Sequence, residues 1–156
     1  MNRRDFLSSS VIALVALSLN STAIGRSLYN LSKQEWKEKL SALEYAVMRD
    51  EKTERAGTSP LLNEKRAGIY HCKGCDLPLY DSSTKYDSRT GWPSFYQALP
   101  SAVDTKEDRT LFAMRTEVHC KRCKSHLGHI FDDGPKPTGK RHCLNGISLV
   151  FHPVKK

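Results

Sequence analysis

The stretches YHCKGCDL, residues 70–77, and VHCKRCKS, residues 118–125, contain the most informative pattern in this chain. Each contains a C-x-x-C turn directly after a short extended run. A tetrahedral zinc ion takes four thiolates, and two such turns can place them at the ~2.3 Å distance of zinc–sulfur bonds. The spacing therefore predicts a closed, structural zinc site with one ion per chain. The predicted ligands are Cys72, Cys75, Cys120 and Cys123.

Two other roles stay open for these cysteines. A pair of disulfides or a thioredoxin-like redox pair would use the same residues, and an exported chain allows both. A redox C-x-x-C usually occurs once and at the start of a helix, whereas here the motif occurs twice after extended runs. Four thiolates fill the coordination sphere, so we expect the metal to join two strand ends without taking part in catalysis.

The rest of the chain has the pattern of one small β domain. A length of 156 residues suits a single domain with an ordinary hydrophobic core. Extended runs cover residues 68–71, 77–80, 111–118 and 147–152, and Asp, Ser, Gly and Pro separate them. We therefore predict a mainly β fold, a small antiparallel sheet or barrel-like domain held by a four-cysteine zinc site, with a helical N-terminal appendage.

The helical appendage is predicted from a capping pattern followed by helical spacing. Ser32 and Glu35 stand as in a capping box. Apolar side chains then recur every three or four residues, which predicts one amphipathic helix from Lys33 to Met48. These side chains are Trp36, Leu40, Leu43 and Val47. The charged segment 49–66 contains Gly and Pro, so it predicts an irregular connection in which composition reveals no function.

Residues 1–23 have the pattern of an export signal. Arg3 and Arg4 precede an apolar run over residues 11–19, which resembles a twin-arginine signal. This run is shorter than the ~20 residues of a spanning helix, so we expect no stable membrane insertion. Cleavage after Ala23 would leave a domain of residues 24–156 in the periplasm or another exported location.

The net charge of +8 raises the possibility of a nucleic-acid partner. Lys and Arg are interleaved with Asp and Glu instead of forming a block, which favours a solvated basic surface. RNA-binding strands usually expose aromatic and basic side chains together, whereas the aromatic residues here cluster beside Gly and Pro in residues 91–95. We expect no nucleic-acid partner, although a non-enzymatic zinc module that binds a peptide or RNA remains an alternative.

The fifth cysteine, Cys143, is the candidate nucleophile. It follows Arg141 and His142 in the sequence Arg141-His142-Cys143-Leu144-Asn145. The side chains of Arg141 and His142 are both expected to lower the pKa of Cys143. A lone cysteine can equally be an inert, buried apolar residue. Two further stretches offer chemistry that favours the first interpretation. They are His126-Leu127-Gly128-His129, with two imidazoles, and Gly91-Trp92-Pro93-Ser94-Phe95, with two aromatic rings.

From Ser32 to Phe151 the chain resembles methionine sulfoxide reductase B. The matching stretches are TKYDS at 84–88, GWPSF at 91–95, MRTEVHCKRC at 114–123, SHLGHIFDDGPKPTG at 125–139 and RHCLN at 141–145. The resemblance implies a zinc-containing β fold that reduces the R epimer of methionine sulfoxide, free or in proteins, and so repairs oxidised exported proteins. It places the nucleophile on Cys143 and the substrate-binding tryptophan on Trp92. It also implies active-site roles for His126, His129, Arg141 and Asn145.

The chemistry of these residue types agrees with the implied reaction. A thiolate that attacks a sulfoxide sulfur needs an acid to protonate the oxygen, and histidine suits that role near neutral pH. We assign His129 as the acid and His126 as an orienting partner, although sequence order alone does not separate them. Trp92 would hold the substrate methyl group against its ring. The product at Cys143 would be a sulfenic acid, which an external reductant must reduce.

The chain departs from the family pattern at three places. Thr90 stands where many members have a resolving cysteine, so the partner that regenerates the thiol is expected to be external, either a thioredoxin-like protein or a small thiol. Gly146 and Ile147 replace small residues such as Ser-Ala. His142 replaces a Tyr or Phe. The last two departures concern the substrate details and leave the predicted nucleophile unchanged.

Overall fold

Antiparallel strands arranged in two sheets dominate the fold. The structure is a computed structural model that describes residues 29–109 and 114–155. The three-stranded sheet has the order β2-β1-β9 and the six-stranded sheet the order β3-β4-β8-β7-β6-β5. The strands are β1 Gly68–Cys72, β2 Pro78–Asp81, β3 Lys85–Tyr86, β4 Ser94–Phe95, β5 Val103–Asp108, β6 Arg115–Cys120, β7 His126–Phe131, β8 Arg141–Leu144 and β9 Leu149–Pro153. The predicted mainly β fold with antiparallel sheets is confirmed. The predicted leader over residues 1–23 lies outside the described residues.

The helical appendage consists of two short helices, α1 Lys33–Lys39 and α2 Ala42–Met48, so the prediction of one continuous helix is wrong. Leu40 has the extended conformation φ −110°, ψ 143° and ends α1. Ser41 then caps α2, and Glu44 completes a second capping box. A new cap starts a new helix axis, and Leu43 is consequently 58% exposed instead of joining the apolar face. Among the described residues, no helix is long and apolar enough to cross a bilayer.

The predicted extended runs match the strands only in part. The run from residue 147 begins with a 3-10 helix, Gly146–Ser148, and β9 starts at Leu149. Part of the run 111–118 lies outside the described residues, and its remainder belongs to β6. Strand β5 was not predicted because its sequence VDTKED is mostly charged. It lies at the sheet edge, paired only with β6, where solvent tolerates such side chains.

The hydrophobic core lies between the two sheets. Tyr70 of β1 and Tyr80 of β2 pack on Phe95 of β4, with ring centroids 4.9 and 4.7 Å apart, and all three residues are fully buried. Phe95 is therefore a core residue. The four paired cysteines belong to the same cluster of buried residues, so the metal centre extends this core.

Candidate active site and metal centre

The two C-x-x-C turns come together as one buried cluster of four sulfur atoms. All four lie within 4.8 Å of one another, with Cys72 Sγ 3.6 Å from Cys123 Sγ and Cys75 Sγ 3.5 Å from Cys120 Sγ. Sulfur atoms ~2.3 Å from a tetrahedral zinc ion are about 3.8 Å apart, so the cluster has the size that zinc requires. A disulfide needs ~2.05 Å between its sulfur atoms, which these two pairs do not approach. The residues therefore fit a structural zinc ion.

Neighbouring groups fix the turns around this cluster. Ser125 Oγ lies 3.2 Å from Cys123 Sγ, close enough to donate to a thiolate. Arg49, at the end of α2, donates to the Cys123 carbonyl at 3.0 Å, and Arg122 donates to the Cys75 carbonyl at 3.1 Å. The two guanidinium groups bring positive charge to the site, where the negative charge of four thiolates exceeds the positive charge of one zinc ion. The cluster thereby joins β1, β6 and α2.

Cys143 occupies the middle of a row of side chains across the six-stranded sheet. Its β8 position pairs with Ser94 of β4 on one side and with His129 of β7 on the other. His129 pairs in turn with Glu117 of β6. Directly opposed residues on antiparallel strands project to the same face with Cβ atoms about 4.5–5.5 Å apart. The register therefore brings the predicted nucleophile and the predicted acid together.

A β-bulge brings His126 to that face as well. Gly128 pairs with Val118, whereas His126 pairs with His119, so β7 has one extra residue opposite β6. Without the extra residue, positions three apart on a strand would point to opposite faces. The rings of His126 and His129 lie 5.4 Å apart in an edge-to-face arrangement. Gly128 must be glycine because a Cβ atom there would lie 2.0 Å from the Cys143 carbonyl oxygen.

His129 is held by the carboxylate of Asp108, a residue that the sequence analysis did not single out. The Nε2 atom of His129 lies 2.8 Å from Asp108 Oδ2, and Arg115 donates to the same oxygen at 2.5 Å. A carboxylate only accepts, so Nε2 carries the proton and Nδ1 of a neutral ring is an acceptor. Burial lowers the pKa of His129 below its usual value, against the opposing effect of Asp108. His129 is thus a neutral base in the free protein.

His126 lies deeper, behind His129. Its side chain is 2% exposed, and its Nδ1 lies 2.8 Å from Glu117 Oε1. Lys106 Nζ lies 2.8 Å from the other oxygen of Glu117, so the buried carboxylate has a cationic and a neutral partner. Burial lowers the pKa of His126 to about 4. A ring that stays neutral and buried is suited to support His129 and not to deliver a proton itself.

The charge environment of Cys143 differs from the sequence expectation. Burial raises the pKa of the Cys143 thiol, and this effect outweighs the opposing hydrogen bond from Thr90 and the charge of Arg141. His142 points to the other face of β8, where its Nδ1 lies 3.0 Å from the Tyr80 hydroxyl. Burial lowers the pKa of His142 to about 4, so it carries no charge that could act on the thiol. Arg141 therefore lowers the pKa of Cys143 as expected, whereas the expectation for His142 is wrong.

Cys143 and His129 line a small open cavity of about 140 Å³. Its remaining walls are Thr53, Trp92, Arg115, Gly128, Phe131, Leu144 and Asn145. A cavity of this order can hold a group about the size of benzene. Trp92 is half-buried in this wall, and its Nε1 donates to the Glu54 carbonyl at 3.1 Å. The cavity therefore combines a thiol, an imidazole and apolar surface at one place.

Glu54 organises this cavity and was missed because it lies in the irregular connection 49–66. It is only 7% exposed, and its carboxylate accepts hydrogen bonds from Gly146 N at 2.5 Å and Ile147 N at 3.0 Å. Its own amide donates to Asn145 Oδ1 at 2.9 Å. One residue thus holds both Trp92 and Asn145. The pattern around residue 54 contains no local signal of these long-range bonds.

Arg141 and Thr90 lie at the edge of the site. Arg141 makes a bidentate pair with Asp133, with distances of 2.8 and 2.9 Å, and its guanidinium stacks 4.3 Å from the Phe131 ring centroid. Thr90 Oγ1 lies 3.9 Å from Cys143 Sγ. The position beside the thiol is therefore occupied by a hydroxyl group.

The chain is similar to known proteins over most of its length. The family model described as the SelR domain matches residues 40–153. The chain is 51% identical over 128 residues to the chloroplastic peptide methionine sulfoxide reductase B1 of Arabidopsis thaliana, which covers 81% of this chain and 63% of that protein. It is 49% identical to the peptide methionine sulfoxide reductase MsrB of Alteromonas mediterranea, over 78% of this chain and 87% of that protein.

A relative from Methanosarcina barkeri, also named peptide methionine sulfoxide reductase MsrB, is 50% identical over 77% of this chain and 85% of its own length. The match spans less than two thirds of the Arabidopsis relative and 56% of a second chloroplastic relative, from Oryza sativa. The residues that the family model matches, 40–153, include the strands described above, the four-cysteine cluster and the residues that line the cavity.

Proposed function

Because this chain belongs to the SelR family, we propose that it is a peptide-methionine (R)-S-oxide reductase that reduces methionine sulfoxide to methionine. The observation that carries the proposal is the placement of Cys143 and His129 on adjacent strands of one cavity that Trp92 helps to close. A thioether head group is small, soft and apolar, which suits a cavity of this size with an aromatic wall. The preference for the R epimer rests on the resemblance to methionine sulfoxide reductase B.

The protonation states of Cys143 and His129 provide the nucleophile and the acid of the proposed reaction. In the free protein Cys143 holds a proton and His129 has an unprotonated nitrogen, since burial raises the pKa of the thiol and lowers that of the imidazole. Transfer of this one proton creates a thiolate and an imidazolium ion. Asp108, hydrogen-bonded to Nε2 of His129, stabilises the imidazolium. The imidazolium then protonates the sulfoxide oxygen while the thiolate attacks the sulfur, which forms a bond between Cys143 Sγ and the substrate sulfur. This bond and the substrate S–O bond break as the hydroxyl group passes to Cys143 Sγ and the thioether leaves.

The proposed first half-reaction transfers one oxygen atom. Cys143 begins as a thiol and ends as a sulfenic acid, while the sulfoxide is reduced to the thioether of methionine. Two thiols of an external reductant then restore Cys143, forming water and a disulfide of the reductant through a mixed disulfide with Cys143. Thr90 beside the thiol and the commitment of the other four cysteines to the metal centre support external recycling. The reductant is a thioredoxin-like protein or a small thiol.

We also propose that the chain acts on exported proteins. The support is the twin-arginine pattern in residues 1–23, which would direct a folded, zinc-loaded domain to the periplasm or another exported location. Methionine residues there are exposed to oxidants, so repair of oxidised exported proteins is the corresponding role.

The deciding test is turnover of the separated R and S epimers of a methionine sulfoxide peptide with dithiothreitol as the reductant. We expect activity on the R epimer alone and none in Cys143→Ser, since a hydroxyl is a far weaker nucleophile of nearly the same size. Zinc content and circular dichroism of the variant serve as controls and should match those of the wild type. Equal activity in Cys143→Ser would overturn the assignment of Cys143 as the nucleophile. Absence of turnover in the wild type would overturn the proposed activity and favour a non-enzymatic zinc module.

A single-turnover experiment tests the recycling route. One equivalent of sulfoxide without reductant should add one oxygen atom to Cys143 and leave the zinc bound, as measured by mass spectrometry and a sulfenic-acid reagent. Formation of an internal disulfide with release of zinc would instead show that the metal centre acts as the resolving group.

A further inference from the structure

A second cluster of metal-ligand side chains lies on the outer face of the three-stranded sheet. His71 of β1, Asp76 after the first C-x-x-C turn and His152 of β9 place their ligand atoms within 4.8 Å of one another. Asp76 Oδ1 lies 3.1 Å from His71 Nδ1 and 3.3 Å from His152 Nε2. This cluster is separate from the four buried cysteines and from the cavity around Cys143.

The backbone fixes the positions of these three residues. Strands β1 and β9 are paired, and the two imidazole rings stack with centroids 4.1 Å apart. Asp76 has φ 56° and its amide donates to the Cys72 carbonyl at 2.8 Å, so the same turn that presents two cysteines also presents this carboxylate. The Asp76 carbonyl oxygen lies 3.0 Å from His71 Nδ1 and offers a fourth atom that could bind a metal ion.

We propose that His71, Asp76 and His152 bind a second divalent metal ion of borderline softness, such as Zn²⁺ or Ni²⁺. Two imidazole nitrogens, a carboxylate and a carbonyl form a donor set that suits these ions better than Mg²⁺ or Ca²⁺, which prefer oxygen alone. Donors about 2.0–2.1 Å from a tetrahedral ion are roughly 3.3 Å apart, close to the observed separations. The ion replaces the ring protons that now point to Asp76, and the exposed carboxylate turns to admit it.

Such an ion would join the β1–β9 pair beside the cysteine cluster and leave the catalytic face untouched. The inference is independent of the proposed reductase activity, because it uses none of the residues that line the cavity. The ligands lie at the surface, where His152 is 47% and Asp76 70% exposed, so the ion can exchange with solvent. We expect it to bind more weakly than the ion in the buried four-cysteine site.

The test is a titration of the zinc-loaded protein with further Zn²⁺, followed by equilibrium dialysis and metal analysis. The Cys143→Ser background removes the thiol that, together with His129, could bind zinc in the cavity. We expect one additional equivalent, with shifts in the ring resonances of His71 and His152 in nuclear magnetic resonance spectra. His152→Gln and Asp76→Asn should each weaken this binding at least ~10-fold, since loss of even an outer-shell partner commonly has that effect.

The variants are chosen to preserve the fold. Asparagine tolerates the left-handed conformation at position 76, and His152 is half-exposed. His119→Gln, on the other sheet, is the matched control and should bind the second equivalent as the parent does. Absence of a second equivalent, or its retention in both His152→Gln and Asp76→Asn, would overturn the proposal.

Discussion

Replacement of Glu54 by glutamine tests whether a buried acid outside the two β-sheets holds the active site together. The carboxylate accepts two backbone N–H groups, whereas an amide has one oxygen to accept and an NH₂ group that opposes the second donor. A buried N–H left without a partner, together with the loss of a charged acceptor, destabilises the fold by about 2–3 kcal/mol. For a domain of this size, we expect the melting temperature of Glu54→Gln to fall by roughly 6–12 °C.

The same substitution should weaken substrate binding. The main chain of Glu54 holds Trp92 through its carbonyl and Asn145 through its amide, so a shift of this segment displaces two walls of the cavity. We expect KM for a methionine sulfoxide peptide to rise while kcat changes less. Thermal melting and steady-state kinetics measure the two effects. Glu107→Gln, whose parent side chain is 63% exposed, is the control and should stay within ~0.5 kcal/mol of the wild type. If Glu54→Gln has the stability and KM of this control, Glu54 does not hold the cavity walls in place.

Three further predictions follow from the cavity, a close contact and the buried histidines. Trp92→Ala should raise KM more than it lowers the melting temperature, and a collapsed melt with normal kinetic constants would make Trp92 a core residue instead. Gly146→Ala should destabilise the protein by about 1–3 kcal/mol, because the new Cβ would lie 1.9 Å from Ser59 Oγ; a double-mutant cycle with Ser59→Gly should recover most of the loss. Burial lowers the pKa values of His126 and His142 to about 4, so the unfolded chain binds more protons between pH 6.5 and 4 and stability should fall as the pH falls through this range. The melting temperature of His142→Phe should depend less steeply on pH in that range, and an unchanged slope would contradict the assignment.

The sequence predicted the parts of the site that have a local signal. The C-x-x-C spacing identified the four cysteines of the metal cluster, and their number left Cys143 as the one remaining thiol. The imidazole pair and the GWPSF turn were visible as short motifs, and the structure brings His129 and Trp92 to one cavity with Cys143.

The parts that could not be predicted depend on long-range geometry. Asp108 meets His129 only because β5, β6 and β7 are adjacent in the sheet, and its own strand is too polar to stand out. The bulge that brings His126 to the face of Cys143 depends on the pairing of β7 with β6, which the sequence of either strand does not specify. The break before α2 did have a signal in Ser41 and Glu44, and the continuous apolar spacing concealed it.

The involvement of the connection 49–66 in the cavity sets the size of the smallest active unit of this protein. A chain shortened to begin at β1 would retain the nine strands of the described residues and the four cysteines, but it would lose the core residues Trp36 and Met48 and the hydrogen bond from Arg49 to the Cys123 carbonyl. It would lack Thr53 and Glu54, and with them one wall of the cavity and the support of another. Any graft of this active site onto another β scaffold must therefore include the segment that precedes the sheet.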